Sequence, residues 1–301
     1  MLCPVKINLG LEVFHRRPAD GYHYLASLFV PISFGDEIEI TDHPTGDVFT
    51  SENLLPPGRR EAFEAVSERG DVQGNLVWRA LRALEPGTRA GVAVHLRKRV
   101  PAGTGVGGGS SNAGQVIRYV ARRDGLELEA AVRVARAVGS DVPFFLCDGP
   151  ALVSGTGENL TPVNLGSGLG VLCLPDVFVN TGAAYQDLKR TLQETPPPKS
   201  MSSLSDEVRR ALERSDWAEA RALGNDFEEP VFGRHPELAA LKAAFLREGA
   251  AYASLSGSGS ALYALVSSKE DQSNLLRSMR SAFPDLPFHA FEFPATEYRT
   301  G

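Results

Sequence analysis

The stretch PAGTGVGGGSSNAG at 101–114 sets glycine at 103, 105, 107, 108 and 109 directly before Ser110, Ser111 and Asn112. Glycine at that density lets backbone N–H groups approach a ligand with no Cβ in the way, at an entropic cost that a plain surface turn does not require. Gly103 and Gly108 have the spacing of GxxxxGK[ST], but Gly109 fills the lysine position, so a phosphate-binding reading needs positive charge from elsewhere. Gly103, Gly105 and Gly108 also satisfy GxGxxG, with Asp124 about 20 residues on. That aspartate falls at a predicted helix terminus and not at the end of a second strand, which argues against a dinucleotide fold. Two charged residues complete the set. Asp141, before Val142 and Pro143, is either a turn or cap carboxylate or a proton acceptor near the glycine loop. In phosphoryl transfer to an alcohol, such a group takes the hydroxyl proton while a cation steadies charge on the transferred group. Lys6 is either a solvated strand charge or that cation.

These residues need elements to hold them. Residues 5–13 alternate, with Val5, Ile7, Leu9, Leu11 and Val13 apolar, which reads as a half-buried strand. Lys6 and Asn8 then project together from the face opposite the core. RRPADGYHYLAS predicts a turn before the apolar LFVPI and the alternating DEIEI, giving strand, loop, strand. Residues 44–74 are rich in Pro, Gly and charge, NLVWRALRAL (75–84) has helical spacing, and GVAVHLRKRV (91–100) returns to a strand. Ser110, Ser111 and Asn112 are capping residue types for a helix that stops at Gly125. The glycine loop therefore lies between a strand and a helix N-terminus, where free N–H groups and partial positive charge suit a phosphate. A further helix is predicted over 126–139, helices over 206–232 and 237–249, and a strand, turn, then strand or helix around YASLSGSGSALYALV. The Pro- and Ser-rich 195–207 reads as a connector.

The composition bounds the class. With 301 residues, two domains are expected, and 43% hydrophobic with 23% charged content is that of an ordinary globular enzyme. A formal net charge of -6 and a pI near 5.6 argue against nonspecific binding to nucleic acid or an anionic membrane. Cys3, Cys147 and Cys173 form no CxxC pair, and with no export signal or membrane span in sight a reducing, cytoplasmic setting is expected. His15, His43, His95, His235 and His289 show no metal-ligand spacing, so no metal site is assigned.

With the glycine loop, Lys6, GYH and SDVP in view, the sequence resembles the GHMP kinases. PVKINLGLEV is similar to the first family motif, RRPADGYHYLASLF to the substrate loop, PAGTGVGGGSSNAG to the ATP loop and GSDVPFFL to the catalytic segment. TGAAYQDL and NDFE resemble later signatures, and LSGSGSALYAL, with Gly257 and Gly259, the third motif. The resemblance implies an α+β two-domain fold: an N-terminal α+β domain with the Gly-rich ATP loop over 1–155, and a ferredoxin-like C-terminal α/β sandwich over 156–301. It also implies a reaction, phosphorylation by ATP and Mg²⁺ of the 2-hydroxyl of 4-diphosphocytidyl-2-C-methylerythritol in non-mevalonate isoprenoid synthesis. A homoserine or mevalonate type of GHMP kinase is the alternative. Carried over, Asp141 is the general base and Lys6 the lysine that favours the ionised carboxylate and steadies the hydroxyl. Pro101, Ala102, Gly103, Thr104, Gly105, Val106, Gly107, Gly108, Gly109, Ser110 and Ser111 bind ATP. Asn8 contacts the methylerythritol, and Tyr22, His23 and Tyr185 hold cytosine. The chain departs from the family pattern at Ala19, inserted between Pro18 and Asp20, and at Val5, Ser140 and Gly114. Gly114 is expected to weaken its helix by about 0.5–1 kcal/mol relative to Ala.

Overall fold

The structure, a computed structural model, describes residues 1–55, 75–84, 90–193 and 206–296. The chain divides into two compact units, one of Met1–Val5, Phe34–Ala102 and Gly107–Asp148, the other of Lys6–Ser33, Gly103–Val106 and Gly149–Gly301. Two strands run through both units. β1 (Leu2–Arg16) and β2 (His23–His43) pair with each other.

In the first unit, β3 (Val48–Asn53), α1 (Leu76–Ala83) and β4 (Gly91–Lys98) follow, with β4 antiparallel to Glu37–His43 of β2 and parallel to β3. α2 (Gly108–Asp124) and α3 (Leu128–Val138) pack with α1 over this sheet. Ile38, Val92, Val94 and Leu96 meet Leu81, Val116, Ile117 and Val120 in one buried core. Complete burial of such a side chain contributes roughly 1.5–3 kcal/mol, which makes this core the main support for the α2 N-terminus. α2 stops where the sequence predicts, at Gly125 in the left-handed region, whose N–H bonds to the Ala121 carbonyl. A 3-10 turn over Val142–Leu146 then packs against α2.

In the second unit, Leu25–Phe29 of β2 pairs with β5 (Ala151–Gly155), which pairs with β6 (Asn159–Pro162). β7 (Gly168–Cys173), α4 (Thr181–Asp187), α5 (Asp206–Glu213), α6 (Glu228–Arg234), α7 (Pro236–Arg247), β8 (Tyr252–Leu255), β9 (Leu262–Val266), α8 (Lys269–Ala282) and β10 (Phe288–Phe293) complete it. The sheet order is β10-β7-β9-β8 with all neighbours antiparallel. Within that sheet the strands run fourth, first, third, second in chain order, the split βαβ arrangement of a ferredoxin-like sandwich. The expected α+β class with this second sandwich is therefore observed.

Several elements differ from their sequence patterns. β1 is buried on both faces, because Lys6 and Asn8 are themselves buried. The expected strand, loop, strand is β1, the turn at 17–22 and β2, but β2 starts earlier, at His23 within RRPADGYHYLAS, and β3 lies inside the Pro- and Gly-rich 44–74. α2 starts at Gly108, so Ser110–Asn112 occupy its first turn instead of capping it. The helical run over 206–232 is broken at Ser215, which has φ 61°, and by Trp217, whose buried ring meets Phe293 edge-on. YASLSGSGSALYALV resolves as the β8–β9 hairpin. Residues 56–74 and 195–205, the latter most of the expected connector, lie outside the described residues. No helix among the described residues is long and apolar enough to cross a membrane.

Candidate active site

The glycine loop leaves β4 and turns through left-handed backbone at Gly103, Gly105 and Gly107 before α2 begins. Gly105 is the position that tolerates nothing larger: at φ 78°, a Cβ there would lie 2.0 Å from the Ser256 carbonyl oxygen. Gly107 stands at the N-cap with no side-chain cap, and the first turn of α2 holds no acidic residue. The Ser111 N–H returns to the Gly107 carbonyl at 2.8 Å, leaving the N–H groups of Gly108–Ser110 without a helical acceptor. A helix start with open donors and no competing carboxylate is an anion site in its physics.

Lys6 lies in the second unit and is 3% exposed. Its Nζ donates to the Asn8 Oδ1 and, at 2.7 Å, to the Gly105 carbonyl, and it stands 4.6 Å from the centre of the Phe29 ring. The Lys6 N–H bonds to the Val106 carbonyl at 2.9 Å, so side chain and backbone both engage the glycine loop. Asn8 Nδ2 donates to Ser27 Oγ at 2.8 Å, and Ser27 in turn donates to the Gly10 carbonyl. Tyr263 Oη donates to the Asn8 carbonyl at 2.6 Å. Ser256 Oγ reaches the Gly105 carbonyl at 3.1 Å, and the Ala261 N–H reaches the Thr104 carbonyl. The solvated-charge reading of Lys6 is thereby excluded. A buried ammonium this well gripped has a fixed position, which is what a cation needs to act on one oxygen of a substrate.

The predicted aromatic residues do not act alike. His23 and Tyr185 stack at 4.8 Å between ring centres, and Tyr185 meets Phe227 edge-on. Tyr22 is 67% exposed, beyond a turn in which Arg17 pairs with Asp20 and the Gly21 N–H bonds to the Arg17 carbonyl. Ala19 is absorbed in that exposed turn, and His23 still reaches Tyr185. Burial, and then the charges of Arg16 and Arg190, hold His23 below the usual histidine range, so its ring is neutral at neutral pH.

Asp141 belongs to the first unit, at the start of the 3-10 turn, and makes no capping bond. Asp141 Oδ1 accepts a long hydrogen bond from the Ser140 hydroxyl at 3.4 Å, so the carboxylate is not consumed by capping its own turn. Gly114 has a role that helix propensity hides: a Cβ there would lie 2.7 Å from Phe145 Cβ, so its bareness lets the Asp141-bearing turn sit against α2. Ser111 Oγ is buried with no hydrogen-bond partner at the head of α2. Among the described residues there is no cluster of His, Cys, Asp or Glu able to hold a metal by itself. The orphaned Ser111 hydroxyl is of a kind that fits Mg²⁺ in the manner of nucleotide enzymes, where phosphates and one or two protein oxygens share the ion.

Sequence reasoning gave no role to several residues that hold Lys6, Asn8 and the loop in place. Ser27, Phe29, Ser256 and Tyr263 are ordinary core or turn types, and only their contacts in the fold single them out. Asp36 is a second omission: wholly buried, it binds Lys98 Nζ, Asn112 Nδ2 and two backbone N–H groups.

The chain matches the family models for the GHMP kinase N-terminal domain over residues 75–149 and the GHMP kinase C-terminal domain over 208–285. It is 39% identical over 300 residues to the 4-diphosphocytidyl-2-C-methyl-D-erythritol kinase of Leptospira interrogans, covering 97% of this chain and all of the relative. The enzyme of that name from Solibacter usitatus is 36% identical, covering 98% of this chain and 88% of its own. Among solved structures, a crystal structure of 4-(cytidine 5'-diphospho)-2C-methyl-D-erythritol kinase matches with TM-score 0.77 at 31% identity, covering 98% of this chain and 99% of the other. A mevalonate kinase from L. major matches with TM-score 0.68 at 15% identity, covering 98% and 95%, a likeness of fold alone. With its glycine loop, its ferredoxin-like second sheet and relatives matched from end to end, the chain belongs to the GHMP kinase family.

Proposed function

We propose that this chain transfers the γ-phosphoryl group of ATP to the 2-hydroxyl of 4-diphosphocytidyl-2-C-methyl-D-erythritol, a step of non-mevalonate isoprenoid-precursor synthesis. The observation that carries this reading is the buried Lys6, gripped by the glycine loop's own Gly105 carbonyl, in a chain whose full-length relatives carry that enzyme's name. Loop residues Pro101–Ser111 hold the nucleotide, their backbone N–H groups facing its phosphates. No lysine at position 109 is required, because the helix N-terminus supplies positive potential there. Mg²⁺ supplies mobile positive charge when bound, with Ser111 Oγ its protein ligand.

Asp141 takes the proton from the acceptor hydroxyl, whose oxygen attacks the γ-phosphorus as the bond to the bridging oxygen of ADP breaks. Lys6 steadies the acceptor oxygen. Asn8 has one amide face engaged by Lys6 and one hydrogen given to Ser27, so it orients Lys6 and keeps one amide hydrogen for the methylerythritol. His23 and Tyr185 form the stacking platform for cytosine, and exposed Tyr22 closes over it from the turn. We set the boundary of the two family modules near residue 155, while β1 and β2 each contribute residues to both compact units.

The test is ADP release with ATP, Mg²⁺ and each of three acceptors. Turnover with the cytidylyl substrate and inhibition by CDP support the reading. Turnover confined to mevalonate or homoserine would replace it with another kinase of the same fold.

A further inference from the structure

We infer that Asp36 is a positioning residue for nucleotide binding, a buried staple that fixes both stems of the glycine loop. This inference rests on the reading of that loop as the ATP site. Asp36 is wholly buried and lies on β2, far in sequence from the loop. One of its oxygens accepts the backbone N–H groups of Arg99 at 2.7 Å and Val100 at 2.8 Å. The other accepts Lys98 Nζ at 2.5 Å and Asn112 Nδ2 at 2.8 Å. Lys98, Arg99 and Val100 are the last residues before the loop, and Asn112 sits in the first turn of α2 after it. One carboxylate thus binds the strand that delivers the loop and the helix that receives it. All of these residues belong to the same compact unit.

The contacts beneath the helix sharpen the point. A Cβ at Gly108 would lie 2.9 Å from Val100 Cγ1 and 3.6 Å from Lys98 Nζ, so the ammonium lies directly under the first residue of α2. A lone buried cation at the positive end of a helix is unfavourable, and Asp36 neutralises it there. Asn112 Oδ1 has no partner, so the Asn112 side chain is held in place through its bond to Asp36. Loss of this staple frees the two stems relative to each other, and the nucleotide must then order them on binding.

The experiment measures binding of Mg²⁺·AMP-PNP by calorimetry, with thermal melts and the acceptor KM beside it. Asn112→Ala removes one arm and leaves Asp36 three donors, so it folds. Asp36→Asn keeps an oxygen for Arg99 and Val100 but turns an NH₂ toward Lys98 and Asn112. Each single variant should weaken nucleotide binding about ten-fold with the acceptor KM unchanged. The double variant should bind about as poorly as Asp36→Asn alone, because both act through one tie. A lower melting temperature in Asn112→Ala with wild-type nucleotide affinity would make the cluster structural only and overturn the inference. Wild-type protein that fails to bind Mg²⁺·AMP-PNP would overturn the loop's assignment, and the inference with it.

Discussion

Replacing Gly114 by alanine sets two local rules against each other. Helix propensity alone favours the change by about 1 kcal/mol, since alanine restricts the unfolded chain and glycine does not. The packing says otherwise. The new methyl would lie 2.7 Å from Phe145 Cβ, closer than carbon atoms approach without displacement. Phe145 Cβ is fixed to the backbone of the 3-10 turn, so no side-chain rotation relieves the contact, and the turn and α2 must part by several tenths of an ångström. Overpacking of this kind costs about 1–3 kcal/mol, which exceeds the propensity gain and leaves about 1 kcal/mol of net destabilisation. For a chain of this size that is a fall in Tm of about 1–2 °C. Because the displaced turn begins at Asp141, kcat should fall about ten-fold as well. Gly109→Ala is the control for stability, since its Cβ would meet only Leu76 Cδ1 at 3.6 Å, an ordinary contact. Differential scanning calorimetry with steady-state kinetics decides the matter. A Gly114→Ala protein that melts at or above the wild-type temperature with wild-type kcat would refute the packing argument.

Other substitutions test the rest of the site. Lys6→Met loses two charge-assisted hydrogen bonds, each worth about 1.5–3 kcal/mol, but also the cost of burying an ammonium, so stability should stay within about 2 kcal/mol of wild type. Its kcat should nevertheless fall at least 100-fold (~2.7 kcal/mol), and a parallel collapse of Tm would mean that Lys6 is structural. Gly105→Ala places a methyl 2.0 Å from the Ser256 carbonyl in left-handed backbone, so nucleotide binding should be abolished, as equilibrium binding would show. His23 titrates below the ordinary value of 6.5, so its unfolded form takes up a proton first as the pH drops. Its contribution to stability is present above pH 6.5 and is lost as the pH falls below it. Melting curves of wild type and His23→Gln should therefore diverge in pH dependence only on the acid side, and parallel curves would contradict the assignment.

Much of the site was legible because it is local. The alternation over 5–13 placed Lys6 and Asn8 on one face, and the strand–glycine–helix order placed the loop at a helix N-terminus. What the alternation did not carry was burial: Lys6 leaves solvent because Gly105, Asn8 and Phe29 surround it, and two of those come from distant segments. Gly105 is forced by Ser256, some 150 residues away. Asp36 is one of three acids in the alternating DEIEI, and only the fold reveals that its partners flank the loop. Ser110–Asn112 have capping side chains, yet Gly107 takes the cap because its left-handed backbone starts the helix earlier. Gly114 misled in the opposite sense, since propensity registers its cost and only tertiary contact registers its use.

The most direct test of the account follows ³¹P NMR of the cytidylyl substrate with ATP and Mg²⁺, wild type beside Asp141→Asn. The account predicts a new phosphomonoester resonance on the 2-oxygen with stoichiometric ADP, and a loss of kcat of about 10²–10⁴ in the variant at little changed KM. A wild-type enzyme that forms no such phosphomonoester, or an Asp141→Asn enzyme with undiminished kcat, would contradict it.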